Sequence, residues 1–272
     1  MTVTSTLHNH CTLCDGKGTL EEMIQAALAL GFTDFGMSCH GVTPFDPDYS
    51  LKDEADYIAA IREARTRCAD RLRLYLGVEQ DFYAPVQDRG AFDYCIGSVH
   101  YLLDGDTGVY HSVDDTPEKL RACIDTVFGG DALAMVRRYY ELVVENVLTF
   151  RPDVVGHFDL VTKFNADGSF FDESSPQYRR IALEALERAA GTGAVFEVNT
   201  GAMSRHWRAA PYPARFLLER MRELDIPVTL SADSHSPETL VYGFDEAIEL
   251  LKRVGYDSVL VWLNGEFRPV RL

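Results

Sequence analysis

Apolar runs of strand length alternate with amphipathic runs of helix length along the whole of this 272-residue chain. Thr4 to His8, Phe32 to Ser38, Leu72 to Val78, Tyr94 to Val99, Val154-Val155, Ala194 to Val198, Pro227 to Leu230 and Ser258 to Trp262 read as strands. Leu20 to Leu30, Lys52 to Ala69, Pro117 to Phe128, Ala132 to Phe150, Pro176 to Ala190, Pro213 to Leu224 and Glu238 to Val254 read as helices. A helix between two strands returns the chain across the sheet, so the strands pair in parallel. Seven or eight such units predict an α/β fold in the form of a closed or nearly closed TIM-like barrel. An open doubly wound sheet is the competing arrangement, but no G-x-G-x-x-G follows the first strand to support it.

Composition narrows the setting. A hydrophobic fraction of 46% supports a sizeable core, and no Gly/Ser-rich or Pro-rich linker divides the chain, which predicts a single domain over residues 1–272. A formal net charge of −16 repels polyanions and argues against a nucleic-acid partner, but not against a small phosphate ester. No run of about 18 apolar residues predicts a membrane span. Met1 to Ser5 carry no basic segment ahead of an apolar one, so no secretory signal is expected. The six cysteines, at 11, 14, 39, 68, 95 and 123, then read as free thiols of a cytoplasmic protein. Cys11-x-x-Cys14 lacks the second pair that a structural zinc site needs.

The polar residues at the strand ends carry the chemistry. His8 and His10 close the first strand two residues apart, so both imidazoles can face one cation. Asp15 follows, and His40, Glu79, His100, His157, Asp233 and His235 stand at or just past the ends of later strands. In a (β/α) barrel all of these ends gather at one mouth. The donors are nitrogen and oxygen, a set that suits Zn²⁺, Mn²⁺ or Fe²⁺. Arg205 and Arg208 fit the bidentate recognition of phosphate oxygens, or else surface ion pairs. His111 lies in a segment, Gly105 to Thr116, that can cover the mouth or stand exposed. Asp81 and Asp159 follow Glu79 and His157 by two residues, as orienting acceptors or as ordinary loop residues.

These residues fall in motifs spread over essentially the whole chain: Leu7-His8-Asn9-His10 with Cys14-Asp15-Gly16, Ser38-Cys39-His40, Gly77-Val78-Glu79-Gln80-Asp81, Ile96-Gly97-Ser98-Val99-His100-Tyr101, Val155-Gly156-His157-Phe158-Asp159, Phe196-Glu197-Val198-Asn199-Thr200-Gly201 and Ser231-Ala232-Asp233-Ser234-His235. In them the chain resembles the PHP (polymerase and histidinol phosphatase) superfamily, in its histidinol-phosphatase branch. The resemblance implies a distorted (β/α)7 TIM-like barrel with three divalent metal ions. Carried over position by position, it implies one ion on His8, His10, Glu79 and Asp233, a second on Glu79, His100 and His157, and a third on Asp15, His40 and His235. Some relatives bind phosphate with basic residues after the fifth strand. Where an Arg is typical of some of them, a Thr or Lys stands here, which leaves Lys163 as the nearest candidate.

The implied chemistry is hydrolysis of a small phosphate ester, most directly L-histidinol phosphate in histidine biosynthesis, by a metal-activated water. Glu79 and Asp233 would hold the ions, Arg205 would clamp phosphoryl oxygens, and His40 or His235, if not metal-bound in the resting enzyme, would protonate the leaving alkoxide. Two other functions compete: action on a different small phosphate ester, and a non-catalytic metal-binding domain. The oligomeric state is left open.

Overall fold

The computed structural model describes residues 3–272. In chain order its elements are β1 (Ser5–Thr6), α1 (Leu20–Ala29), β2 (Asp34–Met37), α2 (Glu54–Cys68), β3 (Arg73–Asp81), β4 (Tyr94–Ser98), β5 (Tyr101–Leu103), β6 (Tyr110–Ser112), α3 (Pro117–Val127), α4 (Ala132–Phe150), β7 (Val154–Val155), α5 (Pro176–Ala190), β8 (Val195–Asn199), α6 (Gly201–Ser204), α7 (Arg215–Glu223), β9 (Val228–Ser231), α8 (Phe244–Val254), β10 (Ser258–Leu263) and β11 (Glu266–Arg271). Local chemistry sets many of the helix ends. Thr19 and Glu22 form a capping box for α1. Asp53, Thr116, Asp131 and Ser175 cap α2, α3, α4 and α5, with Pro117 and Pro176 at first-turn positions.

Seven parallel strands pair in the order β1-β2-β3-β4-β7-β8-β9. The two edges meet just past the strand ends, where Asn9 and Ser234 form an isolated parallel bridge. His10 N donates to Ser234 O at 2.8 Å, and Ser234 N donates to His8 O at 3.2 Å. The sheet is thus a nearly closed (β/α)7 barrel whose last seam is this single bridge. On the outside, α1 and α2 share one buried apolar cluster with β2 and β3, and the later helices share a larger one with β7, β8 and β9. No helix among the described residues is long and apolar enough to cross a membrane. All six cysteines are free, with Cys11 and Cys39 in sulfur contact at 3.6 Å.

Three local expectations differ from the structure. The segment from Glu238 onward is not one helix: Pro237–Thr239 is a 3-10 turn, and α8 begins after Gly243, whose φ of +70° breaks the helix. The final strand does not join the barrel. β10 turns back at Asn264-Gly265, both at positive φ, and pairs antiparallel with β11. The segment before α3 contains a second hairpin, β5–β6, where a plain loop is expected.

The inside of the barrel is small, and one aromatic ring fills much of it. Tyr94 packs there with Leu7, Ile96, Val154 and Trp262, and its hydroxyl donates to Leu7 O. The ring fits because two facing strands carry glycine. A Cβ on Gly77 would lie 2.0 Å from Tyr94 Cζ, and one on Gly36 would lie 2.2 Å from its Oη. Gly77→Ala is therefore expected to cost roughly 2–3 kcal/mol or more by overpacking. Thermal melts of G77A and of G77A/Y94L test this. The second change should recover part of the loss, and a G77A melt like wild type would refute the packing argument.

Candidate metal centre

The centre is built around Glu79. Residues 77 and 79 lie on the same face of β3, since residues two apart share a face. Gly77 faces Tyr94 inside the barrel, so Glu79 points inward one pleat higher. Its carboxylate is buried and meets five imidazoles. Oε2 lies 3.0 Å from His8 Nε2, 2.9 Å from His40 Nδ1 and 3.4 Å from His10 Nε2. Oε1 lies 3.0 Å from His157 Nε2 and 3.3 Å from His100 Nε2, and accepts from Ser98 Oγ at 2.6 Å. Asp233 Oδ1 stands 3.3 Å from His10 Nε2 and 3.6 Å from His8 Nε2. His235 Nε2 and His40 Nε2 face Asp15 at 3.2 and 3.6 Å. All nine expected ligands fall in four overlapping groups whose donor atoms lie within 4.8 Å of one another.

These contacts are close but are not all hydrogen bonds. His8 Nε2, His10 Nε2, His40 Nδ1 and Glu79 Oε2 are buried with no hydrogen-bond partner. Lone pairs that crowd together and stay orphaned in a dry interior are costly unless a cation takes them. The donor set therefore fits divalent ions. The electrostatics agree. Burial disfavours charge on His8, yet Glu197, Glu79 and Asp233 outweigh it and raise His8 well above the ordinary imidazole value. His10 is likewise pushed up to about 10 against its burial, chiefly by Asp233 and Cys14. Burial holds His40 down. Burial also opposes ionisation of Glu79 and Asp233, but the surrounding imidazoles, and Arg205 beside Asp233, hold both well below the carboxylate range. Three buried carboxylates, Glu79, Glu197 and Asp233, and the exposed Asp15 thus gather where positive charge is required.

A second layer orients the imidazoles. Glu197, inside β8, accepts from His8 Nδ1 at 2.8 Å and from His157 N at 2.5 Å, and Asn199 Nδ2 steadies it at 2.8 Å. Asp81 accepts from His100 N at 2.7 Å and lies 3.4 Å from His100 Nδ1, an orienting role. Asp159 does not play that part. It accepts from Ala214 N at the start of α7, and burial pushes it up to about 6. Glu197 stands in a sequence motif that by itself assigns it no role. Its signal was a lone carboxylate in the apolar run Val195–Asn199, the same pattern that marks Glu79.

The cluster opens into a cavity of about 680 Å³ lined by Asp15, His40, His100, His157, Asp233 and His235 from the centre, and by Arg205 and Lys163. Arg205 Nη2 donates to Asp233 Oδ2 at 3.1 Å, and its Nη1 lies 3.1 Å from His235 Nδ1. Lys163 Nζ reaches Asp114 Oδ2 at 3.2 Å. Two expected phosphate contacts are not brought here. Arg208 is bound bidentately by Glu173 at 2.7 and 2.9 Å, outside the cavity lining. His111 sits on β6, in an adjoining groove beside Phe45 and Tyr110. Glu197→Gln is expected to lower metal affinity or turnover by roughly tenfold to a hundredfold. Metal content and kcat of the folded variant check this, and wild-type values in both would sink the orienting role.

The PHP domain family model matches residues 6–201. A curated relative from Deinococcus radiodurans, named "Probable histidinol-phosphatase", is 33% identical over 93% of this chain and 94% of its own length. The "Histidinol-phosphatase" of Bacillus subtilis is 24% identical over 89% of this chain and 97% of its own. The crystal structure of histidinol phosphate phosphatase from Lactococcus lactis, complexed with zinc, L-histidinol and phosphate, is 21% identical. It matches in fold with a TM-score of 0.71, over 97% of this chain and 98% of that one. By its motifs, its barrel and these relatives, the chain belongs to the PHP family, in the histidinol-phosphatase branch.

Proposed function

We propose that this chain is a metal-dependent phosphomonoesterase that hydrolyses L-histidinol phosphate to L-histidinol and inorganic phosphate. It would act in the cytoplasm, within histidine biosynthesis, as a single PHP domain with three divalent ions. The observation that carries the reading is the nine-residue cluster, buried except at Asp15 and His235 and rich in orphaned donor atoms, in a cavity that Arg205 and Lys163 also line.

His8, His10, Glu79 and Asp233 would hold one ion, Glu79, His100 and His157 a second, and Asp15, His40 and His235 a third; Zn²⁺, Mn²⁺ and Fe²⁺ all suit these donors. When bound, such ions supply an acidified water and neutralise charge on the phosphoryl oxygens. The protein's own residues do the rest. Arg205 presents its guanidinium at the cavity floor, fixed by Asp233, in reach of an equatorial oxygen. Lys163, tethered by Asp114, adds a second positive charge. The departing alkoxide needs a proton, which His40 or His235, both in the cavity lining, would supply only when not holding the third ion. No Ser or Cys nucleophile is required.

The outer wall supports a cationic leaving group. Asp46, Asp48 and Asp115 line the cavity together with Tyr101. Carboxylates and aromatic faces suit the ammonium and imidazole of histidinol.

The test is phosphate release from L-histidinol phosphate beside a panel of other monoesters, with enzyme loaded separately with Mn²⁺, Fe²⁺ and Zn²⁺. A kcat/KM for histidinol phosphate far above the panel is expected, with activity abolished by chelation and restored by metal. Equal rates across the panel would keep the phosphatase and remove the substrate. Glu79→Gln should lose turnover by roughly a hundredfold or more, since it leaves five imidazoles without their shared anion. Full activity in E79Q would refute the central role of Glu79, whereas a metal-binding scaffold would show no turnover with any metal even in the wild type.

A further inference from the structure

We propose that the Tyr49 hydroxyl donates a hydrogen bond to the phosphoryl group; this role rests on the phosphatase reading above. Tyr49 lies in the connection between β2 and α2, in a stretch with no ligand pattern. Its ring covers the imidazole of His40, with centroids 3.8 Å apart, and its oxygen lies 3.0 Å from His100 Nδ1.

The proton count at that contact fixes its direction. His100 Nε2 faces Glu79 and belongs to the ligand group of His40, Glu79 and His100. If Nε2 keeps its lone pair for a cation, the ring's one proton sits on Nδ1. Nδ1–H then lies 3.0 Å from the Tyr49 oxygen and 3.4 Å from Asp81 Oδ2, and that nitrogen offers no lone pair to the phenol. The phenol's own hydrogen must go elsewhere, and among the described residues the hydroxyl has no other partner. Tyr49 lines the cavity beside His40, Lys163 and Arg205. Arg205 already donates to Asp233, and Lys163 to Asp114. The Tyr49 O–H is thus an uncommitted neutral donor at the cavity floor, and the acceptor that enters there is a phosphoryl oxygen.

The donor is also held in place. Leu51 N donates to His40 O at 3.0 Å, which ties the loop to the barrel rim, and Thr43 N donates to Ser50 Oγ at 3.0 Å, which closes the loop on itself. A donor fixed before substrate arrives stabilises developing charge without reorganisation.

The experiment compares the Mn²⁺-loaded full chain with its Tyr49→Phe variant. Phe keeps the ring on His40 and removes the hydroxyl alone. Inorganic phosphate is titrated by calorimetry, metal content is measured on the same samples, and kcat and KM are taken with the best ester of the panel. Y49F is expected to retain the wild-type metal content and bind phosphate roughly tenfold to a hundredfold more weakly. Unchanged phosphate affinity would overturn the proposal. So would a loss that merely follows lost metal, because Tyr49 would then serve His100 alone. Phosphate binds whatever the leaving group, so the comparison decides even if histidinol phosphate is not the substrate. A wild-type protein that neither binds phosphate nor cleaves any ester would overturn the phosphatase reading and this role with it.

Discussion

A carboxylate buried inside a barrel is the constraint on which the rest of this molecule turns. Isolated, the Glu79 side chain would be among the most expensive groups a fold could hide. It is tolerated because β1, β2, β4 and β7 each deliver an imidazole to it at or just beyond their ends. The parallel barrel makes that convergence possible, since it turns every strand's carboxyl end toward one rim. The fold and the centre are therefore coupled: the strand register that buries the apolar runs is also the register that aims the donors. Glu197 does a related task from β8, one layer out, where it holds His8 and the backbone of His157 together.

The seam of the barrel is part of the same device. His8-Asn9-His10 and Asp233-Ser234-His235 are the two tripeptides that hydrogen-bond across the gap between β1 and β9. In each, the middle residue serves the backbone while the outer two face the centre. Asn9 Nδ2 donates to Gly36 O at 2.8 Å, and Ser234 Oγ donates to Ser236 O at 2.7 Å. The alternation of a strand thus divides each tripeptide between closing the sheet and holding ligands.

Much of this was legible in the sequence. Strands buried on both faces read as apolar runs whatever the topology, and His, Asp and Glu placed after them mark one rim. What escaped has particular causes. β3 runs on through Glu79 to Asp81, because polar residues with buried partners do not end a ladder. The Asn264-Gly265 hairpin carried a plain turn signal, which the expectation of one more barrel strand overrode. Arg208 is close in sequence to Arg205 but is claimed by Glu173, 35 positions away, and no local pattern reports a distant partner. Tyr49 carries no motif at all; its place is set by the loop's packing against His40.

The seam also bears on how the protein is made. The ligands run from His8 to His235, so the earliest emerges from the ribosome 227 residues before the latest. At about 5–20 residues per second, that is a wait of roughly 10–45 s. Over that interval the first strand has no partner for its outer edge, and the anionic core has only part of its imidazole complement. Neither the wall nor the centre can be completed by the nascent amino-terminal segment alone. Maturation is therefore a late, whole-chain event, with the last loop of the barrel acting as its latch.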